Sequence, residues 1–519
     1  MTELAELLSG QLAALRALGG VLLVLPVALP LAGLLLALGL GGRQAGRVAM
    51  GLLAVGLAVA VAIAGAVLEA GVPLRYDLGN WAPPLGVALE ADGLSAVLLL
   101  TTAVVMLGVS IYAHPVFRIP AGASETRGHL AFWILLMGVW AGLNLVFLGQ
   151  DLFNLYVALE LLTFSAVPLV CLDGRPETLQ AALRYLLFAL LGSVLYLLGT
   201  ALLYGEFGTL DIDLLRGRIE QAGPLPVPVI AAAALMTVGL LAKTALFPLH
   251  LWLPPAHAGA PPAASAVLSA LVVKASFFLV VRLWFDVMPA LLAQTAAQVL
   301  GALGAAAIVY GGLLAFGQAR LKMLIAYSTL AQLGYLFLIF PLAAGTAPGT
   351  AGEPGILTGG MLQLVAHACA KAAMFMAAGL IAASLGQDRI RELAGIARAL
   401  PITVLAFGIG GLALVGVEPS GAYLAKTLLD GAARDSGQWW WSLAMQLGGL
   451  LTAAYLIRVF FHALSGFSRT PVLRSRPALY QELVVLGLAL CSLLLGLVPA
   501  SYLALVEIGR LGGVAGGLP

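Results

Sequence analysis

Apolar stretches long enough to cross a bilayer recur from one end of this 519-residue chain to the other. A helix needs about 20 apolar residues to span the hydrocarbon core. Here 61% of the residues are hydrophobic and 10% are charged, whereas soluble domains carry about 25% charged residues. Backbone groups in lipid must pair within their own segment, so runs of this length predict helices. The sequence therefore predicts an all-α, polytopic membrane protein.

We expect about fourteen membrane-spanning helices. The predicted spans cover residues 20–40, 47–68, 93–113, 129–149, 152–171, 179–203, 227–249, 262–285, 290–316, 321–341, 356–384, 401–432, 439–462 and 481–506. The chain begins MTELAELLSG, which is not a basic n-region, so we expect no cleaved signal peptide. The three cysteines lie far apart and give no zinc or iron–sulfur spacing. We expect no cofactor and no metal, and a net charge of +2 without a basic patch predicts no nucleic acid partner.

The charges between the spans predict the orientation of the chain. The odd-numbered loops carry the basic residues Arg43, Arg47, Arg118, Arg127, Arg175, Arg320, Lys322, Arg389, Arg391, Arg398, Arg469, Arg474 and Arg476. The even-numbered loops are acidic or mixed and carry Asp77, Glu90, Asp211, Asp213, Arg216, Arg218, Asp286, Glu353 and Asp435. Because cytoplasmic loops are enriched in lysine and arginine, we predict that the odd loops are cytoplasmic and that both termini face outside.

Two of the spans are predicted to be interrupted. The seventh ends in LLAKTALFPLHLW (240–252), and four prolines follow within ten residues. The twelfth reads GVEPSGAYLAKTLL (416–429), with Pro419 in mid-span. Proline removes a backbone donor and clashes with the preceding turn, and irregular backbone at membrane depth must face protein or water. Paired interrupted spans in two halves of a chain indicate a transporter built from inverted repeats.

The chain has only five lysines, and four of them lie inside or against apolar runs. These four are Lys243, Lys274, Lys371 and Lys426, whereas we expect Lys322 in a charged loop. An ammonium at mid-bilayer costs roughly 2.5–3.5 kcal/mol even on the lenient insertion scale. A chain that tolerates four of them is predicted to use them to hold and pass charge.

Glu160, about nine residues into the fifth span, is the clearest carboxylate at membrane depth. A nearby carboxylate keeps a buried lysine charged, so a pair with Lys243 would act as a protonation switch. The alternatives are that Glu160 reaches the interface from a helix end and that Lys243 snorkels. His250 follows Lys243 by seven residues, which predicts that both lie on roughly the same helix face.

Further polar groups extend this pattern into the second half of the chain. Lys274 stands near the middle of the eighth span, and His367 and Lys371 are four residues apart, hence stacked on one helix face. His257, in the proline-rich segment, either guards an aqueous opening or caps a turn. We predict that six residues form a polar line along the membrane plane that relays protons: Glu160, Lys243, Lys274, His367, Lys371 and Lys426.

At these residues the chain resembles the antiporter-like proton-pumping subunits of respiratory complex I, membrane-bound hydrogenases and Mrp-type sodium/proton antiporters. The segment 240–252 is similar to the family's broken seventh helix, which makes Lys243 its central lysine and His250 its following histidine. Glu160 takes the place of the fifth-helix glutamate that pairs with this lysine. Lys274 matches the eighth-helix lysine that bridges toward the output half.

The resemblance continues over nearly the whole chain. FGQARLKMLIAYSTLAQLGY (316–335) and VAHACAKAAMF (365–375) are similar to the tenth-helix and eleventh-helix motifs, and Lys426 takes the terminal proton-carrying position. LGNWAPPLGVALEADGLSA (78–96) favours the Mrp D-type subunit. One departure is Glu418, where the family pattern has proline or a small residue.

The resemblance implies two inverted five-helix repeats and a subunit that translocates protons, with sodium as a second candidate ion. The implied domains are 1–128, helices 1–3; 129–286, the first repeat; 287–465, the second repeat; and 466–519, helix 14. It also implies a hetero-oligomeric complex in a bacterial or archaeal inner membrane. We find no redox ligands and no hydrolytic or nucleotide motif in the sequence, so we expect no such reaction in this chain itself. Whether the chain is a subunit of an oxidoreductase complex is left open.

Two other function classes compete with this interpretation. A stand-alone solute symporter would need a central cavity with a substrate-sized polar lining, whereas the polar groups here are strung out and mostly basic. A structural anchor that has lost pumping would be expected to lose some of the lysine and glutamate positions, and none is missing.

Overall fold

The computed structural model describes residues 20–119, 127–292, 294–345, 352–465 and 471–509. Its helices are α1 (Val21–Leu40), α2 (Gly42–Ala70), α3 (Gly93–Ala113), α4 (Arg127–Leu148), α5 (Leu152–Val170), α6 (Pro176–Phe207), α7 (Ile212–Ala222), α8 (Val227–Thr244), α9 (Leu253–Gly259), α10 (Pro262–Val287), α11 (Gln294–Gly317), α12 (Leu321–Ala344), α13 (Gly352–Leu385), α14 (Pro401–Val415), α15 (Gly421–Asp435), α16 (Trp439–Leu464) and α17 (Leu479–Leu494). Within the described residues, thirteen helices are long and apolar enough to cross a membrane. The chain is therefore a multi-pass membrane protein.

The predicted twelfth span accounts for the difference between fourteen and thirteen. Instead of one helix over 401–432, the chain forms α14 and α15, each of 15 residues, with an irregular segment between them. Ser420 caps the N-terminus of α15, because its hydroxyl accepts a hydrogen bond from the backbone N–H of Tyr423 at 3.1 Å. Each half-helix is too short to cross a bilayer alone, so the two together make one interrupted span.

The fold is nearly all-helical, but the sequence analysis missed a short β-hairpin. β1 (Leu74–Asp77) pairs antiparallel with β2 (Ala88–Ala91) in the loop between α2 and α3. Residues 78–87, which lie between the strands, belong to the proline- and glycine-containing stretch that resembles the Mrp D-type subunit.

Three helices form the centre of the molecule. In the most apolar stretch of each helix, 100% of the residues of α10, 94% of those of α13 and 89% of those of α12 are buried. In α1 only 33% are buried. Lys274, His367 and Lys371 lie on these central helices. Their charged and polar groups are therefore placed where contact with lipid is least.

Small residues allow the helices around Lys243 to approach closely. A Cβ atom at Gly239 of α8 would lie 2.4 Å from the carbonyl oxygen of Gly192 on α6, and one at Gly192 would lie 2.5 Å from that of Gly239. Such backbone contacts are typical of helix pairs in lipid. The hydrophobic effect does not drive helices together there, so they associate through the close van der Waals packing that small residues allow. The crossing places Gly192 against the aliphatic part of Lys243.

Loops of the same parity contact one another. Arg320 in the ninth loop binds Asp388 in the eleventh at 3.0 Å. On the acidic side, Arg75 in the second loop binds Asp213 at 2.5 Å and Asp211 at 3.5 Å in the sixth. The basic and acidic loops are thus gathered into separate groups, as a membrane-crossing chain requires.

Some of the residues on which the orientation depends lie outside the described part of the chain. These are Arg469, the side chains of Arg127 and Glu353, and both chain termini. The orientation, the inverted repeats and the domain boundaries stay predictions.

Candidate functional site

Glu160 and Lys243 form an ion pair between α5 and α8. The ammonium Nζ lies 3.2 Å from Oε1 of Glu160 and donates to Oγ1 of Thr163 at 3.0 Å. The hydroxyl of Ser193 on α6 donates to the same carboxylate oxygen. The side chains of lysine and glutamate are 6% and 15% exposed, so the pair is shielded from bulk solvent. The two residues that the sequence analysis paired are in direct contact.

The helix that carries Lys243 ends one residue later. Thr244 is the last residue of α8, and Ala245 has a φ of +60°, in the left-handed region. His250 therefore lies in the turn that follows, and the prediction that it shares a helix face with Lys243 is wrong. Its ring instead lies 5.1 Å from that of Tyr310 on α11 and 5.6 Å from that of Phe247.

Lys274 is buried in α10 next to an irregular turn. Residues Leu268–Val272 are π-helical, and the ammonium donates to the carbonyl of Ser269 in this segment. π-Helical turns disturb the normal backbone pairing and are frequent at functional sites. The hydroxyl of Ser269 lies 2.8 Å from that of Thr329 on α12. Lys274 thus reaches a polar contact between two central helices.

Polar groups also connect Lys243 with α10. The hydroxyl of Thr244 donates to that of Ser276 at 3.0 Å. A cavity of about 10 Å³ is lined by Lys243, Thr163, Tyr185 and Ser276 among others. This volume is roughly what one water molecule needs, and the cavity lies between Lys243 on α8 and Ser276 on α10.

His367 and Lys371 lie one turn apart on α13 and are completely buried. The ammonium of Lys371 donates to the carbonyl of Ile325 at 3.2 Å and to the hydroxyl of Ser328, both on α12. Among the described residues, neither ring nitrogen of His367 has a hydrogen-bond partner. An unsatisfied imidazole at this depth is a candidate acceptor for a mobile proton.

The sequence analysis missed a set of uncharged polar residues on α12. Ser328, Gln332 and Tyr335 follow the i, i+4, i+7 spacing of one helix face. Gln332 accepts a hydrogen bond from Gln363 of α13 at 2.8 Å and donates to Thr452 of α16 at 3.5 Å. All three residues lie within the quoted segment 316–335, so their spacing was the signal that could have revealed them.

Lys426 lies at the break between α14 and α15. Its ammonium donates to the carbonyls of Leu414 and Val415, at 3.1 and 2.8 Å, and lies 4.7 Å from the ring centre of Tyr335. These carbonyls are at the C-terminal end of α14, where the helix dipole favours a cation. A cleft of about 230 Å³ opens beside the lysine, whereas Glu418, the residue that departs from the family pattern, is exposed at the same break.

Lys322 is buried, and its predicted place in a charged loop is wrong. It is the second residue of α12, and its ammonium donates to the carbonyl of Ala260, in the segment that joins α9 to α10. The charges of neighbouring residues suggested a loop, but α12 begins at Leu321 and packs directly against α9. Four of the five lysines are thus buried, and Lys426 is half-buried.

A cluster of charges lies outside the spans, near β2. Burial raises the pKa of Glu90 from its ordinary 4.5 to about 7, and the carboxylate of Asp213 adds to the increase. The guanidinium groups of Arg282 and Arg75 act in the opposite direction. Arg282 itself binds Asp92 at 2.6 Å and joins the C-terminal end of α10 to the start of α3.

Within the described residues, no group of three or more His, Cys, Asp or Glu side chains could hold a metal ion. The cysteines Cys171, Cys369 and Cys491 are free thiols.

The chain is similar to proteins of two related kinds. It is 34% identical over 412 residues to the N subunit of the NADH-quinone oxidoreductase of Desulforudis audaxviator (strain MP104C), a match that covers 79% of each chain. It is 28% identical over 449 residues to the D-type subunit of the Na(+)/H(+) antiporter of Bacillus subtilis (strain 168), a match that covers 86% of this chain and 87% of the relative.

The fold is similar to a chain in the structure of the Mrp complex from Dietzia sp. DQ12-45-1b. The TM-score is 0.82 at 25% sequence identity, and the match covers 95% of this chain and 96% of that one. Residues 149–452 match the family described as NADH:quinone oxidoreductase/Mrp antiporter, TM. The chain belongs to the NADH:quinone oxidoreductase/Mrp antiporter family.

Proposed function

We propose that this chain is the proton-translocating, antiporter-like subunit of a multisubunit membrane complex. Protons move along the polar line of Glu160, Lys243, Lys274, His367, Lys371 and Lys426. The observation that carries the proposal is the buried Lys243–Glu160 pair, from which further buried amines continue on α10 and α13. Ionisable groups at membrane depth are expensive and mark ion pathways.

The pair at Glu160 sets the charge of Lys243. Burial in a low dielectric disfavours a charged amine, and a carboxylate at 3.2 Å offsets this cost. When the carboxylate is neutralised, Lys243 releases its proton toward α10. The hydroxyls of Thr244 and Ser276, which are 3.0 Å apart, provide the first contact on that helix.

The proton then passes to the second half of the molecule. Lys274 and the pair of His367 and Lys371 hold it in the centre, and Ser328 is the first hydroxyl on the way out. The polar face of α12 continues to Tyr335, whose ring lies against Lys426. Release occurs at the cleft beside Lys426, and uptake occurs from the cytoplasm near His250 and Lys243.

The names of the relatives suggest the ions and partners. One relative is part of a sodium/proton antiporter, so we propose sodium as the second ion. The structural neighbour is part of an Mrp complex, which supports other membrane subunits as partners. We place the complex in a bacterial or archaeal inner membrane with both termini outside, because the basic loops then face the cytoplasm.

A second candidate is a proton-pumping subunit of a redox-driven complex. The similarity to the N subunit of an NADH-quinone oxidoreductase supports it. In that case a neighbouring subunit holds the redox centres and supplies the driving force. Copurification of the native complex separates the two candidates, since flavin or nickel–iron subunits indicate a redox machine.

The test is proton flux in proteoliposomes that contain the purified complex with Glu160→Gln or Lys243→Met. We expect flux to be lost while the complex assembles normally. Arg391→Gln, a change at an exposed arginine in a basic loop, is the matched control. Unchanged flux in both variants would contradict the proposal. If the variants assemble poorly, but each complex that does form carries protons at the normal rate, the result would favour a structural anchor.

A further inference from the structure

We infer that Lys322, with Asp388 and His257, forms a second proton-uptake route that supplies the centre of the polar line. These three residues are called the uptake cluster below. The inference rests on the proposed function, because it adds a source of protons to the same relay. It explains a buried lysine and a buried histidine that the relay itself does not use.

The first observation is the environment of the Lys322 ammonium. The residue is 7% exposed, and its only hydrogen bond in the described part of the chain goes to the carbonyl of Ala260. No carboxylate lies within ion-pair distance of the ammonium among the described residues. A buried amine without a fixed counter-charge exchanges its proton more easily than a paired one.

The second observation is a carboxylate, Asp388, whose charge acts on Lys322. Oδ1 of Asp388 accepts from Arg320 at 3.0 Å, whereas Oδ2 is buried and has no hydrogen-bond partner among the described residues. The charged groups that act on Lys322 are Asp388, Arg320, Arg175 and Asp173. All four belong to the fifth, ninth and eleventh loops, which are predicted to be cytoplasmic.

The third observation is the connection from Lys322 toward the interior. The carbonyl of Ala260, which binds the ammonium, also accepts from the hydroxyl of Ser265 at 3.1 Å. The same hydroxyl donates to the carbonyl of His257 at 2.7 Å. The ammonium of Lys322 and the backbone of His257 are therefore joined at the start of α10. The imidazole of His257 itself interacts electrostatically with Lys322 and with the central amines of Lys274 and Lys371.

His257 lies between the two halves of the polar line. Its ring centre is 6.0 Å from that of Phe375, one turn beyond Lys371 on α13. On the other side it is 6.1 Å from the indole of Trp252, whose N–H donates to the carbonyl of Ala242 next to Lys243. The imidazole is completely buried. It is placed to pass a proton to the central amines.

The proton transfers balance one step at a time. A proton from cytoplasmic water binds Oδ2 of Asp388 and then moves to the neutral amine of Lys322. The ammonium releases it to the imidazole of His257, which passes it to the central amine of Lys371. No other bond forms or breaks, and each donor returns to its starting state.

The test compares Lys322→Arg, Lys322→Met and Asp388→Asn in the purified complex in proteoliposomes. Arginine keeps the positive charge and a donor for Ala260 but does not release its proton. We expect flux to fall by roughly twofold to tenfold in Lys322→Arg, because one of the two uptake routes loses its proton-transfer group while the route near His250 and Lys243 remains. Asp388→Asn should lower flux and shift its dependence on the pH of the uptake side. Arg391→Gln is again the control.

Normal flux in Lys322→Arg would overturn the inference, because the side chain would then have only a structural role, its hydrogen bond to the carbonyl of Ala260. If the Lys322 variants do not assemble, Asp388→Asn decides, and normal flux with an unchanged pH profile overturns the inference. If Glu160→Gln and Lys243→Met abolish flux while the uptake-cluster variants keep flux at the wild-type level, only this inference fails. Normal flux in Glu160→Gln and Lys243→Met means that the proposed function itself fails.

Discussion

The buried Lys243–Glu160 ion pair is expected to affect the stability of the folded protein. Removing one member of a buried ion pair leaves an uncompensated charge, which typically costs about 3–5 kcal/mol. Glu160→Gln should therefore lower the melting temperature of the purified complex. Combining it with Lys243→Met removes the orphaned ammonium, so the double variant should be more stable than Glu160→Gln alone.

A thermal-shift measurement on the four members of this double-mutant cycle tests the coupling. Additive effects of the two substitutions would show that the ion pair contributes no interaction energy and would contradict a charge-setting role for Glu160.

Glu90 gives a pH-dependent prediction outside the membrane. Burial, with a contribution from Asp213, raises its pKa in the folded protein from 4.5 to about 7. A raised folded-state pKa means that the folded protein binds this proton more tightly than the unfolded chain. The stabilisation is complete below about pH 4.5 and is lost as the pH rises through about 7.

The melting temperature of the wild type should therefore fall over this pH range more steeply than that of Glu90→Gln. Glutamine cannot take up the proton, so its contribution does not change with pH. Equal slopes in the two proteins would contradict the raised pKa.

At the residue scale, charges were easier to predict than their surroundings. Lys243, Lys274 and Lys371 were recognisable because a lysine in an apolar run is unusual and costly. Lys322 was misplaced, because Arg320 beside it suggested a charged loop. No local signal shows that the segment after α9 will contact its ammonium. Gln332 was missed because an uncharged amide hardly changes the hydropathy of a span.

Among the secondary-structure elements, the crossing of α6 and α8 holds Lys243 in place. A methyl group at Gly239 would meet the carbonyl of Gly192 at 2.4 Å, which is backbone and cannot move aside. Gly239→Ala should therefore separate the two helices, lower thermal stability and weaken flux. Gly205→Ala on α6 is the matched control, because a Cβ atom there meets nothing within 4 Å.

Thermal stability and proton flux of these two glycine variants check the prediction. Normal flux and stability in Gly239→Ala would show that the close approach of α6 and α8 is not needed to position Lys243.

The interruptions of the helices could be predicted, but not their detail. The prolines after Lys243 and around residue 419 indicated the two breaks, since proline ends a helix for local steric reasons. The left-handed Ala245, which turns His250 away from Lys243, has no such signal. The π-helical turn at Leu268–Val272 lies in the fully buried α10 and had no signal in the sequence.

For the whole molecule, hydropathy and loop charge were sufficient to predict the class of fold. The length of the apolar runs gave the spans, and the alternation of charge placed basic loops with basic loops and acidic loops with acidic loops. The order of the polar line stays a prediction from the sequence, which spreads its charged residues over successive spans. The uncharged contacts that link these residues needed the packed structure.

The most direct test of the relay is proton flux through the reconstituted complex with Lys371→Arg. Lys371 is completely buried at the centre of the polar line, and its ammonium contacts Ile325 and Ser328. Arginine keeps the charge but does not release the proton. We predict that flux is abolished while assembly is unchanged and the Arg391→Gln control behaves as the wild type. Flux at the wild-type level in Lys371→Arg would contradict transport through buried amines that gain and lose protons.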